Sequence, residues 1–209
     1  MNNALFFSSR SRVVVLGLWL GCAVALANSA CAQNLLANPS FESPLDPWDP
    51  SGLTGGKTNW TLVYGSGGPG DFTMKDRSTE SAHTAGGHGV HFRPASEWWC
   101  HAYFTQTVTN LTPGAAYILT GWMNKSYINA KDHTYIELLG GSAGTTSVVS
   151  PDVTATGWIQ YSVTNTASTA GKIEVRLHES KQQMPLSLPG LAKYKQCDSR
   201  FDEYSLVHQ

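Results

Sequence analysis

Apolar and polar residues alternate along most of the chain. Ile173, Val175 and Leu177 alternate with Lys172, Glu174, Arg176 and His178, and a period of two marks a half-buried strand. Ile159, Tyr161 and Val163 alternate in the same way with Trp158, Gln160, Ser162 and Thr164. Tyr117, Leu119 and Met123 fall on one side of a third strand, and Ile118, Thr120 and Trp122 on the other. The same reading predicts strands at 34–42, 58–64, 88–93, 100–109, 132–139 and 201–207. Turn formers separate them: Gly65-Ser66-Gly67-Gly68-Pro69-Gly70, Thr112-Pro113-Gly114, Gly140-Gly141 and Pro189-Gly190. No long helical period appears beyond the first 32 residues. About eight to ten short strands with this punctuation predict an all-β sandwich or barrel. Residues 43–87 are loop-rich apart from 58–64, and 180–200 are poorly patterned. Long loops of that kind in a compact β domain are usually functional or decorative.

The first 32 residues read as an address. Arg10 and Arg12 precede an uncharged apolar run from Val13 to Ala27, and Ala30-Cys31-Ala32 fits a signal-peptidase site. The expected domains are therefore a signal peptide at 1–32 and one β domain at 33–209, secreted or periplasmic. A run of 15 residues is short of the roughly 20 needed to span a bilayer. No further apolar stretch of spanning length follows, so no membrane association is expected after cleavage. Of the four cysteines, Cys22 and Cys31 leave with the signal. The remaining pair, Cys100 and Cys197, is expected to form a disulfide, as an isolated pair does in an oxidising compartment.

Composition narrows the function. Charged residues are 14% of the 209, and 14 Lys and Arg stand against 15 Asp and Glu, a net charge of −1. Nucleic-acid binding needs a basic face, so it is excluded. No block of like charges suggests an interaction tail, and a monomer is expected. Tryptophan is abundant, with seven residues.

Several motifs resemble a known family. Asn34-Leu35-Leu36-Ala37-Asn38-Pro39-Ser40-Phe41-Glu42 is similar to the opening segment of carbohydrate-binding modules with a galactose-binding-like jelly roll, of the family four, nine and twenty-two type. Gln106-Thr107-Val108-Thr109-Asn110-Leu111-Thr112-Pro113-Gly114-Ala115-Ala116-Tyr117 resembles their hairpin, and Ile118 to Asn124 the strand that follows. Gly157-Trp158 through Thr166 and Phe201-Asp202-Glu203-Tyr204-Ser205-Leu206 resemble two later segments, in the family's order. The resemblance implies a jelly-roll β-sandwich of two antiparallel sheets and non-catalytic binding of a carbohydrate. It also implies a structural calcium between the first and last strands, with Glu42 and Asp202 as side-chain ligands, since that ion takes oxygen donors. Trp122 and Trp158 fall on family-wide positions and are expected to pack in the core or between sheets, as is Trp60.

Sugar rings are gripped by flat aromatic side chains and by polar groups at the rim. Trp98 and Trp99 lie between a loop and a strand, and adjacent strand residues face opposite sides. They are the first candidates for stacking on a ligand; packing around a Cys100–Cys197 bridge is the alternative. Tyr127, Tyr135 and Arg176 are expected as further contacts, with Glu137 and Glu174 sharing the faces of Tyr135 and Arg176. A solvated outer face is the competing reading. His83, His88, His91 and His101 cluster in sequence, but 88 and 91 would point to opposite faces of a strand, which disfavours a shared metal. No nucleophile elbow, zinc-protease motif or P-loop occurs. The enzyme alternative is a polysaccharide lyase or glycoside hydrolase on the same fold, a lyase drawing on His91, Arg93, His101 and Tyr103. An adhesion protein that binds no sugar is a third class.

Overall fold

The computed structural model describes residues 32–41, 59–66, 72–76, 82–84, 87, 89–94, 100–126, 132–181 and 199–209. The chain divides into two units, Met1–Cys31 and Ala32–Gln209. The first unit, which holds the expected signal segment apart from Ala32, lies outside the described residues.

Ten strands make two antiparallel five-stranded sheets. They are β1 (Thr61–Ser66), β2 (Phe72–Asp76), β3 (Val90–Pro94), β4 (Cys100–Val108) and β5 (Ala116–Lys125). The chain continues through β6 (Asp132–Gly140), β7 (Thr146–Val149), β8 (Gly157–Thr166), β9 (Ile173–Lys181) and β10 (Ser199–His208). One sheet has the order β1-β4-β9-β6-β7 and the other β2-β3-β10-β5-β8. The described residues hold no helix. This is a jelly-roll β-sandwich, as the strand pattern and the motif series imply.

The period of two decides what each sheet buries. Phe104, Ile136, Leu138, Val175 and Leu177 turn inward from the first sheet, and Leu119, Met123, Phe201, Tyr204 and Leu206 from the second. Tyr204 lies against Gly121, where a Cβ would stand 2.1 Å from the ring. Only a glycine leaves room for that ring.

Polar residues of the motif series hold the chain's ends. Asn34 Nδ2 donates to Tyr204 O (2.8 Å), and its Oδ1 accepts from Leu36 N and Leu206 N. Gln106 exchanges hydrogen bonds with both main-chain groups of Ala37 and donates to Asn59 O. The segment 32–41 is thereby fastened to β10 and β4, yet it is not the strand expected at 34–42. Asn38 (φ 47°) and Phe41 (φ 58°) are left-handed, which interrupts an extended ladder. The turn drives Phe41 into the core against Trp60, with ring centroids 5.3 Å apart. Trp60 is thus a core residue, as expected. β2 and β7 were not anticipated; β2 falls in the stretch read as loop.

Candidate functional site

The outer face of the β1-β4-β9-β6-β7 sheet carries the densest chemistry among the described residues. Register sets its rows. Tyr103 on β4 faces His178 on β9, which faces Tyr135 on β6. One row on, Thr105 faces Arg176, which faces Glu137. His101 stands beside Tyr103, two positions earlier on β4, and Glu174 two positions before Arg176 on β9.

His178 is buried between the two tyrosines. Tyr135 stacks on it at 4.5 Å and 11°, and Tyr103 lies at 4.9 Å and 35°. The rings thus stand side by side across three strands. Among the described residues no ring covers the other face of Tyr135. The Arg176 guanidinium lies over Tyr103, 4.9 Å from its centroid.

Glu137 is the electrostatic hub. Ser147 Oγ donates to it (2.5 Å), His178 Nε2 donates (2.8 Å), and Arg176 approaches at 3.4 Å. Desolvation pushes its carboxyl up, but the hydrogen bonds from His178 and Ser147, then the electrostatic attraction of His178 and Arg176, outweigh it and hold it at about 2. Glu174 is also held below its ordinary range: burial opposes this, and the bonds from Arg176 (2.7 Å) and Thr105 (2.8 Å) prevail. Burial pushes the Tyr135 hydroxyl up, helped by Glu137 and Asp152. Asp152 fixes the start of β6, accepting from Thr134 N (2.7 Å) and pairing with His133 (2.9 Å).

Of the residues expected at the site, Tyr135 and Arg176 are on this face, with Glu137 and Glu174. Trp98, Trp99, Tyr127, Glu42 and Cys197 lie outside the described residues. Cys100 opens β4, and its side chain is not described. The sequence reading missed His178 and gave Tyr103 and His101 only to the enzyme alternative. The signal for His178 was its place at the end of the Glu174, Arg176, His178 alternation.

The other sheet tells a different story. Trp122 and Trp158 lie on its outer side rather than in the core, because they alternate with the buried Met123 and with the inward side of β8. His83 stacks on Trp122 at 4.0 Å and meets Trp158 edge-on at 5.6 Å. His83 Nδ1 is 2.9 Å from Glu203, which also accepts from Thr84. Both indoles therefore support a segment of the same chain. His91, which the enzyme alternative draws on, is buried.

Asp202 is buried, and its two oxygens accept from His83 N (2.7 Å) and Glu203 N (2.8 Å). A buried carboxylate is the kind of oxygen donor that the cation implied by the resemblance takes. Among the described residues, however, no three His, Cys, Asp or Glu side chains converge as a metal site.

No family model matches the chain, and no curated protein matches it in sequence. Solved structures match its shape. A family 61 carbohydrate-binding module, solved with β-1,4-galactotriose, is 15% identical over 85% of this chain and 100% of its own, with a TM-score of 0.55. The enzymatically active domain of tailspike protein 4 from bacteriophage CBA120 is 13% identical over 84% of this chain and 21% of its own, with a TM-score of 0.56. A family 22 xylan-binding domain from Paenibacillus barcinonensis is 13% identical over 85% of this chain and 95% of its own, with a TM-score of 0.50. At such identities the likeness establishes architecture: this chain has the jelly-roll β-sandwich of carbohydrate-binding modules.

Proposed function

We propose that the protein is a secreted or periplasmic, non-catalytic carbohydrate-binding protein, and that its ligand lies on the outer face of the β1-β4-β9-β6-β7 sheet. The observation that carries this reading is the row Tyr103–His178–Tyr135 flanked by Arg176, Glu137 and Glu174. It pairs apolar ring surface with fixed hydrogen-bonding groups, the two things a sugar ring requires. The fold shared with modules solved on galactotriose or named for xylan supports it.

The charges favour a neutral glycan. Arg176 is the cation of this row, and two carboxylates already pair with it. Two carboxylates against one guanidinium leave one negative charge, which disfavours a uronate or sulfate. Glu137 and Glu174 are acceptors, suited to sugar hydroxyls. Trp98 and Trp99 precede His101 in the chain by three and two residues and remain our candidates for added stacking, as does Tyr127.

The test is a glycan panel in affinity electrophoresis, followed by calorimetry. Tyr135→Ala and Tyr103→Ala should weaken binding about tenfold, since a stacked aromatic contributes roughly 1–2 kcal/mol. A blank panel, or full affinity in both correctly folded variants, refutes this reading.

A further inference from the structure

His101 Nε2 and His178 Nδ1 are 2.9 Å apart, and the ring planes differ by 16°. The centroids are 5.2 Å apart, which is the hydrogen-bond length plus one ring radius at each end. Both nitrogens therefore lie on the line between the centroids, and the two imidazoles meet edge to edge in one plane. A linear N–H···N bond has this geometry. A shared metal would need the two lone pairs to converge at an angle, so the pair is not a ligand set.

The direction of this bond is forced from the far end. Glu137 only accepts, so His178 Nε2 carries a proton. In the neutral ring His178 Nδ1 is then a lone pair and must accept from His101 Nε2. The neutral His101 therefore presents Nδ1 as a lone pair, on a half-buried ring beside Tyr103. A carboxylate at one end fixes an acceptor at the other.

Resting on the proposed glycan-binding reading, we propose that His101, His178 and Glu137 form a proton-linked element of the binding face: His101 Nδ1 accepts a hydroxyl of a neutral glycan, and one proton shared by the two imidazoles turns that acceptor into a donor and lowers affinity in acid. The pair takes one proton, not two. A second would place two N–H groups against each other across 2.9 Å and break the bond between the rings.

The surroundings set the direction. On β4 the neighbour is Tyr103; β9 presents His178, Arg176 and Glu174; β6 presents Glu137, Tyr135 and His133, the last paired with Asp152 from the segment after β7. β1 offers Thr61 and Val63 among its described side chains. Burial holds the His101 imidazole below its ordinary 6.5, the His178 and Arg176 charges add to this, and Glu137 opposes it. Proton uptake thus lies on the acid side of 6.5. A ligand hydroxyl donating to Nδ1 favours the neutral form, so acidic solution must release a proton on binding.

Two measurements on the purified protein decide this separately from the binding reading. Without ligand, nitrogen NMR of the imidazoles from about pH 8 to about pH 4.5 should show His101 and His178 titrating together, with one proton taken up by the pair. Two independent protonations overturn the wire, whatever the protein binds. With β-1,4-galactotriose and a xylan fragment as probes, affinity should fall below the His101 transition by up to about tenfold per pH unit. Calorimetry in buffers of different ionisation enthalpy should show proton release. In His101→Gln, whose amide donates to His178 and does not titrate, that pH dependence should vanish. Affinity that is flat in pH, or that falls equally in His101→Gln, overturns the proton link. Failure of both probes to bind at any pH overturns the ligand half of the proposal, whereas the binding reading falls only with a blank glycan panel, and the imidazole titration stands apart from both.

Discussion

Glu137→Gln tests the electrostatics of the face most directly. The wild-type carboxylate takes three donors, from Ser147, His178 and Arg176. Its pKa falls from 4.5 to about 2 on folding. A carboxyl whose folded pKa is depressed stabilises the fold above its unfolded pKa. That contribution is lost as pH falls from about 4.5 toward about 2. At ~1.4 kcal/mol per unit the whole shift is worth about 3 kcal/mol at neutral pH, and about 2 kcal/mol of it is gone by about pH 3. Glutamine keeps one carbonyl acceptor but turns an amide toward donors and does not titrate. Urea unfolding should therefore place the variant about 2–3 kcal/mol below wild type near pH 7 and only about 1 kcal/mol below it near pH 3. Other carboxyls titrate in both proteins, so their effects cancel in the difference. A gap that stays constant between the two pH values, or widens in acid, refutes the argument that Glu137 is held ionised by its neighbours.

Three further outcomes are expected. Gly121→Ala should cost about 1–3 kcal/mol in urea unfolding, because its methyl would meet the buried Tyr204 ring at 2.1 Å; wild-type stability would show that the ring has room to move. Thiol titration of the denatured, unreduced protein lacking residues 1–32 should find Cys100 and Cys197 joined; two free thiols would remove the disulfide. Calcium at a hundredfold excess over its Kd should raise stability by about 2.7 kcal/mol, an effect lost with chelator and in Asp202→Ala; identical melting curves with and without chelator would rule out the ion.

The fold was legible where one physical rule governs a whole element. The alternations around Leu119, Val163 and Val175 became β5, β8 and β9, with their apolar sides inward. Legibility failed where local backbone overrides the pattern. The segment from Asn34 to Phe41 is expected as part of a strand, yet Asn38 and Phe41 are left-handed. The segment is held by the Asn34 and Gln106 side chains and by two separate main-chain bonds to β10, Leu35 N to Leu206 O and Tyr204 N to Pro39 O, rather than by a continuous ladder. The outer-side indoles failed for a related reason. A tryptophan on a strand declares which residues share its side, not which side is covered. What covers Trp122 is His83, 39 residues earlier in the chain.

The site was half legible for a reason that follows from the sheet itself. Tyr135 with Glu137, and Glu174 with Arg176, share a side because they are two apart on one strand. Their partners across strands depend on register, and no rule of composition supplies it. His178 meets Tyr135 and Tyr103 only because β9 runs between β6 and β4 in the register found. A shift of one residue would bring the inward-facing Leu177 opposite them and dissolve the wire at once. The links that join this cluster cross between strands or follow the period of two, among them Glu137 to His178, His178 to His101, Arg176 to Glu137, and Arg176 to Glu174. The core that fixes the register on one side of the sheet therefore also fixes the hydrogen-bond polarity on the other. A volume change at Leu177 or Ile136, which face each other on the buried side, acts on the acceptor at His101 without touching it.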